Sequence, residues 1–162
     1  AGAGPPPAPR VVLTDGTEAV LKNLRHNAEA NKDRLGECQL EVARLEWEEL
    51  LSGGGAPVEG VDLLLGSDVI WAHRGPLVAA VARRLVRPGG QLLISAQEGR
   101  EGLAEFEAAL RRPREAVPAA DAAAGVAEGD FAPEGPAFEL EDHAASAAGE
   151  RLLVYVGRRA AV

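Results

Sequence analysis

A chain of 162 residues, 46% apolar and 26% charged, suffices for one domain with a core and is too short for two comfortable ones. Its net charge of −8 argues against non-specific binding to nucleic acid phosphates, and no run reaches the roughly 20 apolar residues of a membrane span. The lone Cys38 excludes an internal disulfide, and the first residues lack the charged-then-apolar pattern of a secretory leader, so a cytoplasmic or nuclear setting is expected.

Residues 1–9, rich in Pro, Gly and Ala, read as an irregular lead-in. The apolar run Arg10-Val11-Val12-Leu13-Thr14-Asp15 suits a strand buried on both faces of a parallel sheet. Thr17 can cap a helix that Glu18 favours, with Val20, Leu21, Leu24 and Ala28 at helical spacing as far as Asn31. Asn23, Asn27 and Asn31 share one face of that helix, where they are expected to bond neighbouring loops. A more exposed strand follows over residues 39–45, then Glu46-Trp47-Glu48-Glu49 and the connection Ser52-Gly53-Gly54-Gly55-Ala56-Pro57.

Residues 61–71 read as another buried strand ending in a polar turn. Pro76 opens a helix with Leu77, Val81 and Leu85 on one stripe, Arg87-Pro88-Gly89-Gly90 stops it, and residues 91–95 form the next strand. A helix through Leu103, Phe106 and Leu110 is followed by a low-complexity insertion at 113–136, expected to be mobile. Residues 137–141 and 152–157 form a closing strand pair suited to antiparallel pairing at a sheet edge. Strands alternating with helices predict an α/β sheet wrapped by helices.

In such sheets ligands bind at the carboxyl ends of the strands. Asp15 can accept hydrogen bonds from two ribose hydroxyls, or simply cap the next helix. Gly16 either keeps that turn open to a close ligand or meets a special backbone angle. Trp47 can stack on an adenine with Glu46 at its edge, or can pack at a strand end. Asp68 ends the strongest apolar run, where a charge needs a cleft or partners. With Trp71 three positions on, it would cradle an amine; the alternative is a helix-capping aspartate. Three scattered histidines and one cysteine give no metal-ligand spacing, and neither a nucleophile elbow nor a phosphate loop is present.

These blocks, in this order, resemble the class I, seven-stranded methyltransferases, and within them the lysine methyltransferase group that includes the calmodulin-lysine and elongation-factor lysine enzymes. The matching pieces are Val11–Gly16, Asn23-Leu24 with Asn27 and Asn31, Leu45-Glu46-Trp47, Leu65–Trp71 and Arg87–Gly90. The resemblance implies a Rossmann-like sheet with a C-terminal antiparallel strand pair. It also implies S-adenosyl-L-methionine as cofactor and a monomer acting on a protein that bears a target lysine. Asp15, with Gly16 beside it, would hold the ribose; Glu46 and Trp47 would flank the adenine; Ser67 would line the adenosine pocket. Asp68 and Trp71 would stand in the motif that faces the lysine. Trp71 replaces the family's tyrosine, keeping an aromatic wall but losing a phenolic hydroxyl.

The family opens with a strand and a Gly-x-Gly-x-Gly type loop, and nothing of that kind precedes Val11. The expectation is a partial domain over 10–162 with that first strand missing, leaving a slot between the Asp15 and Asp68 strands and poor cofactor binding by this chain alone. Three alternatives stand beside lysine methylation: a methyltransferase-like interaction module without catalysis, a methyltransferase acting on a small molecule, and a nicotinamide-dependent oxidoreductase. The last is disfavoured because no hydride-site acid or base stands near Asp68.

Overall fold

A computed structural model describes residues 7–112, 138–147 and 150–160 of the chain. Strands β1 (Arg10–Asp15), β2 (Gln39–Arg44), β3 (Val61–Ser67) and β4 (Val86–Gln97) alternate with helices α1 (Glu18–Asn31), α2 (Trp47–Leu51), α3 (Gly75–Leu85) and α4 (Leu103–Arg111). Strands β5 (Phe138–Ala147) and β6 (Glu150–Arg159) close the chain. The β-branched and leucine runs thus form strands and the 3.6-periodic segments form helices, as expected. The insertion predicted over 113–136 lies outside the described residues.

The strands form a mixed α/β arrangement in two parts. β1 pairs in parallel with β2, and a four-stranded sheet runs in the order β3-β4-β6-β5. In the latter β3 and β4 are parallel, while β6 is antiparallel to both β4 and β5. β1 and β3 each keep one edge without a strand partner among the described residues. Here the burial expected from the apolar runs is incomplete: Val11 is 42% exposed, Leu63 49% and Leu65 63%. A continuous apolar strand loses water only when both its faces and both its neighbours are covered, and these two strands each have one neighbour.

Two further elements differ from the expectation. Arg87–Gly90 does not end α3 before a separate strand but lies inside β4. The ladder with β3 jumps there, from Val61 opposite Val86 to Leu63 opposite Gln91. Pro88 cannot donate to a ladder and Gly89 takes φ +75°, so these residues loop out of register while the strand continues. The second difference is α2, a short helix formed directly after Glu46 by Trp47–Leu51.

The larger core lies between the four-stranded sheet and helices α3 and α4. Ile70, Val78, Val86, Leu92, Ile94, Phe106, Leu110 and Tyr155 are its principal buried members. Phe106 and Tyr155 meet edge to face, centroids 5.6 Å apart, and the Tyr155 hydroxyl donates to Glu107 Oε1 at 2.8 Å. A smaller cluster of Leu45, Leu50, Val81 and Leu85 ties α2 to α3. Arg83, 4% exposed, donates from Nη2 to the carbonyls of Ala109 (2.9 Å), Leu110 (2.8 Å) and Arg112 (2.5 Å). A helix end leaves its last carbonyls unpaired, so this buried guanidinium supplies the missing donors at the end of α4. Among the described residues Asn23, Asn27 and Asn31 bond no neighbouring loop: all three are exposed, and Asn31 Nδ2 donates to the Asn27 carbonyl within α1.

Candidate functional site

Asp15 stands at the carboxyl end of β1, and its Oδ1 accepts the Thr17 backbone N–H at 2.7 Å. This turn starts α1 without a side-chain cap from Thr17. The capping role therefore uses one carboxylate oxygen, and Oδ2 has no hydrogen-bond partner among the described residues. The β1–β2 ladder runs one step further, with the Leu45 N–H on the Asp15 carbonyl at 3.0 Å. That step sets Glu46 against Gly16: a Cβ at Gly16 would stand 2.4 Å from Glu46 Oε1. Arg44 Nη2 donates to the same Glu46 oxygen at 3.2 Å. Gly16 thus serves closeness, since its backbone does not require a positive φ.

Trp47 opens α2 and packs against both hydrophobic clusters, so part of its indole is ordinary core. Its ring centroid lies 5.7 Å from that of Trp71, with the planes at 42°. Trp71 is 45% exposed, and the Arg74 guanidinium lies over its ring at 5.4 Å from the centroid. Arg74 Nη1 also reaches Glu48 Oε1 at 3.0 Å. A cavity of about 410 Å³ opens among Asp15, Gly16, Glu46, Trp47 and Trp71, with Arg74 on its wall. Its floor comes from β3 and α3, including Leu64, Gly66 and Val81. Its size suits a cofactor or another small molecule.

Ser67 and Asp68 stand beside this cavity rather than in its lining. The Ser67 hydroxyl accepts from Ser95 Oγ at 3.0 Å, across the β3–β4 pair. Asp68 holds φ +51° and donates its backbone N–H to the Ser95 carbonyl at 2.8 Å. Its carboxylate takes Arg100 Nη2 on both oxygens, at 2.5 and 2.7 Å, and Arg100 Nε on Oδ1 at 3.1 Å. Between Asp68 and Trp71, Ile70 is fully buried and pins the loop to the core. Ala72, at φ +49°, makes the loop left-handed at both ends. Two non-glycine residues in that region within five positions amount to local strain, of the kind concentrated at functional sites.

The loop is held from below by glycine packing. A Cβ at Gly102 would stand 2.2 Å from the Ala72 carbonyl, and one at Gly75 would stand 2.1 Å from the Gly102 carbonyl. Only bare backbones allow the starts of α3 and α4 to come this close.

Five of the seven residues expected at the site therefore share one cavity, and Ser67 and Asp68 flank it. Sequence reasoning missed Arg74, on the cavity wall, and Arg100, on the Asp68 carboxylate. The one available signal for Arg100 was its position in the polar turn after β4, another strand end on the same side of the sheet. Among the described residues no group of three or more His, Cys, Asp or Glu could hold a metal ion. No described helix is long and apolar enough to cross a membrane.

Residues 3–112 match the family model described as lysine methyltransferase. Among curated proteins, no sequence matches the chain. Among solved structures, the chain is similar to a methyltransferase from Pyrococcus furiosus, with 13% identity and a TM-score of 0.55. The alignment covers 93% of this chain and 63% of that one. A structure titled for the conversion of a disulfide bond into a thioacetal group during echinomycin biosynthesis also aligns, with 17% identity and a TM-score of 0.55. It is covered over 93% of this chain and 66% of its own. At these identities the likeness is one of fold, and the chain spans just under two thirds of the length of either structure. With a matched region reaching from the lead-in to the end of α4 and a Rossmann-like methyltransferase fold beneath it, the chain belongs to the lysine methyltransferase family.

Proposed function

We propose that the protein transfers a methyl group from S-adenosyl-L-methionine to a lysine side chain of another protein. One observation carries this reading: the carboxyl ends of β1, β2 and β3 bring Asp15, Gly16, Glu46, Trp47 and Trp71 around a single cavity. The donor set suits the cofactor. Asp15 Oδ2 is available to the vicinal hydroxyls of a ribose, and Trp47 with Glu46 offers an aromatic face and an acceptor to an adenine. When bound, S-adenosyl-L-methionine supplies a methyl group activated by its sulfonium.

The chain's own residues would then prepare the acceptor. The lysine must meet the methyl as a neutral amine, so its ammonium must lose a proton once it is in place. Trp71 supplies a ring face that would hold and aim the side chain. Asp68, 56% exposed at its side chain, would hydrogen-bond the amine and pass its proton to solvent. The small-molecule acceptor remains the alternative within the same chemistry.

Calorimetric titration of the full-length native protein with S-adenosylhomocysteine tests the cofactor half. Saturable binding is expected, weakened about tenfold or more by Asp15→Asn, which replaces a charged acceptor by a neutral amide. Labelled methyl recovered as methyl-lysine from a lysine-bearing protein tests the acceptor half. Label found only in a small molecule would overturn the lysine assignment. A second reading, an interaction module without catalysis, draws on the edges of β1 and β3 that have no strand partner among the described residues; absence of any binding heat would favour it.

A further inference from the structure

Both groups that the proposed function assigns to the acceptor already carry a cation of the same chain. Arg100 engages both oxygens of the Asp68 carboxylate, and Arg74 covers the Trp71 ring. The two arginines differ in how they are held. Arg74 is tied at its far side to Glu48. Every hydrogen bond described for the Arg100 side chain goes to Asp68, and Arg100 sits on the exposed turn between β4 and α4 with its side chain 35% exposed. Nothing else in the described structure requires that guanidinium to stay.

We infer that Arg100 is a built-in competitor of the acceptor amine, a specificity-determining residue that occupies Asp68 until an acceptor displaces it. The inference rests on the proposed role of Asp68 toward the amine. A planar guanidinium binds a carboxylate through several donors at once, whereas an ammonium is a compact, strongly hydrated charge. An intramolecular partner is also present at high effective concentration, in the millimolar range for a short flexible tether. A free small amine therefore loses the competition for Asp68. A lysine delivered on a protein segment brings contacts of its own along the cavity mouth, and these tip the exchange. Arg74 does the same for Trp71, less exchangeably because Glu48 retains it. The arrangement makes the site selective for amines that arrive attached to something larger.

The test uses n-butylamine as a lysine side chain without a peptide, titrated into the full-length native protein. Binding is followed by the fluorescence of Trp47 and Trp71, the two tryptophans of this sequence. Arg100→Ala is expected to raise the affinity for n-butylamine about two- to five-fold, the range for releasing an exposed ion pair. Arg100→Lys, which restores a charge without the fork, should fall between the two. Adding Asp68→Asn to Arg100→Ala should remove the gain. A residue with a merely structural role would lower affinity when removed, so the sign of the change is diagnostic. Equal affinity in the native protein and Arg100→Ala, both sensitive to Asp68→Asn, would overturn the competitor while leaving Asp68 as the amine's partner. Binding insensitive to Asp68→Asn, or no binding in any variant, would remove Asp68 from that role and the competitor with it.

Discussion

The two halves of the molecule are built to different standards. The half made of β3, β4, β5, β6, α3 and α4 encloses a core with Phe106, Leu92, Ile94 and Tyr155 each at or below 1% exposure. In the half made of β1, α1 and β2, Leu21 is the one fully buried hydrophobic residue among the described positions, and the α1 asparagines face water. Apolar burial is the main favourable term in folding, so the first half should carry most of the stability. The residues proposed for the cofactor come from the thin half and the small helix that follows it. Those proposed for the acceptor come from the thick half. The cavity lies at the seam, lined on one side by the densely buried part and on the other by the thinly buried one.

Three substitutions would break or sharpen this contrast. The largest effect is expected of Phe106→Ala, about 3–5 kcal/mol by chemical denaturation, because it empties a site packed on Tyr155 with no exposed edge through which to relax. A loss below about 1 kcal/mol would show that the thick half is not where stability resides. Leu21→Ala should cost less, about 2–3 kcal/mol, and its signature should be regional. Hydrogen exchange would quicken in Val12 and Leu13 of β1 while the amides of β4 and β6 stay protected. Uniform quickening would mean that the halves unfold as one unit. The smallest effect on stability, within about 1 kcal/mol, is expected of Gly16→Ala, since its clash is with the far end of a flexible glutamate. Its effect should appear instead as weaker S-adenosylhomocysteine binding, because Glu46 must leave its place against Gly16.

Strand and helix identity was legible wherever local chemistry decides it. The run Val11-Val12-Leu13 is short and β-branched, and the stripe Leu77, Val81 and Leu85 repeats at helical spacing. The kind of residue that closes each strand was also legible, because a carboxylate after an apolar run needs a reason to be there. What stayed hidden depends on partners remote in sequence. Arg87–Gly90 reads as a helix stop followed by a turn, yet the pairing of β3 with β4 carries the strand through it. Arg83 looks like one more surface arginine on α3 until α4, 26 to 29 residues away, presents its carbonyls. The pairing of Arg100 with Asp68 spans 32 positions and leaves no periodic trace. Trp47 shows that two readings of a residue need not exclude each other: its ring both packs against the core and lines the cavity.

The left-handed backbone at Asp68 also limits which replacements can report on its charge. Aspartate and asparagine tolerate that conformation far better than alanine or a β-branched residue, since their short polar side chains can hydrogen-bond locally. Alanine at this position would change two variables together, the carboxylate and the path of the chain toward Ile70 and Trp71. Asparagine, nearly identical in shape, changes only the first. The backbone tolerance at this corner is thus narrower than at an ordinary exposed aspartate, with asparagine and glycine the replacements that fit its φ.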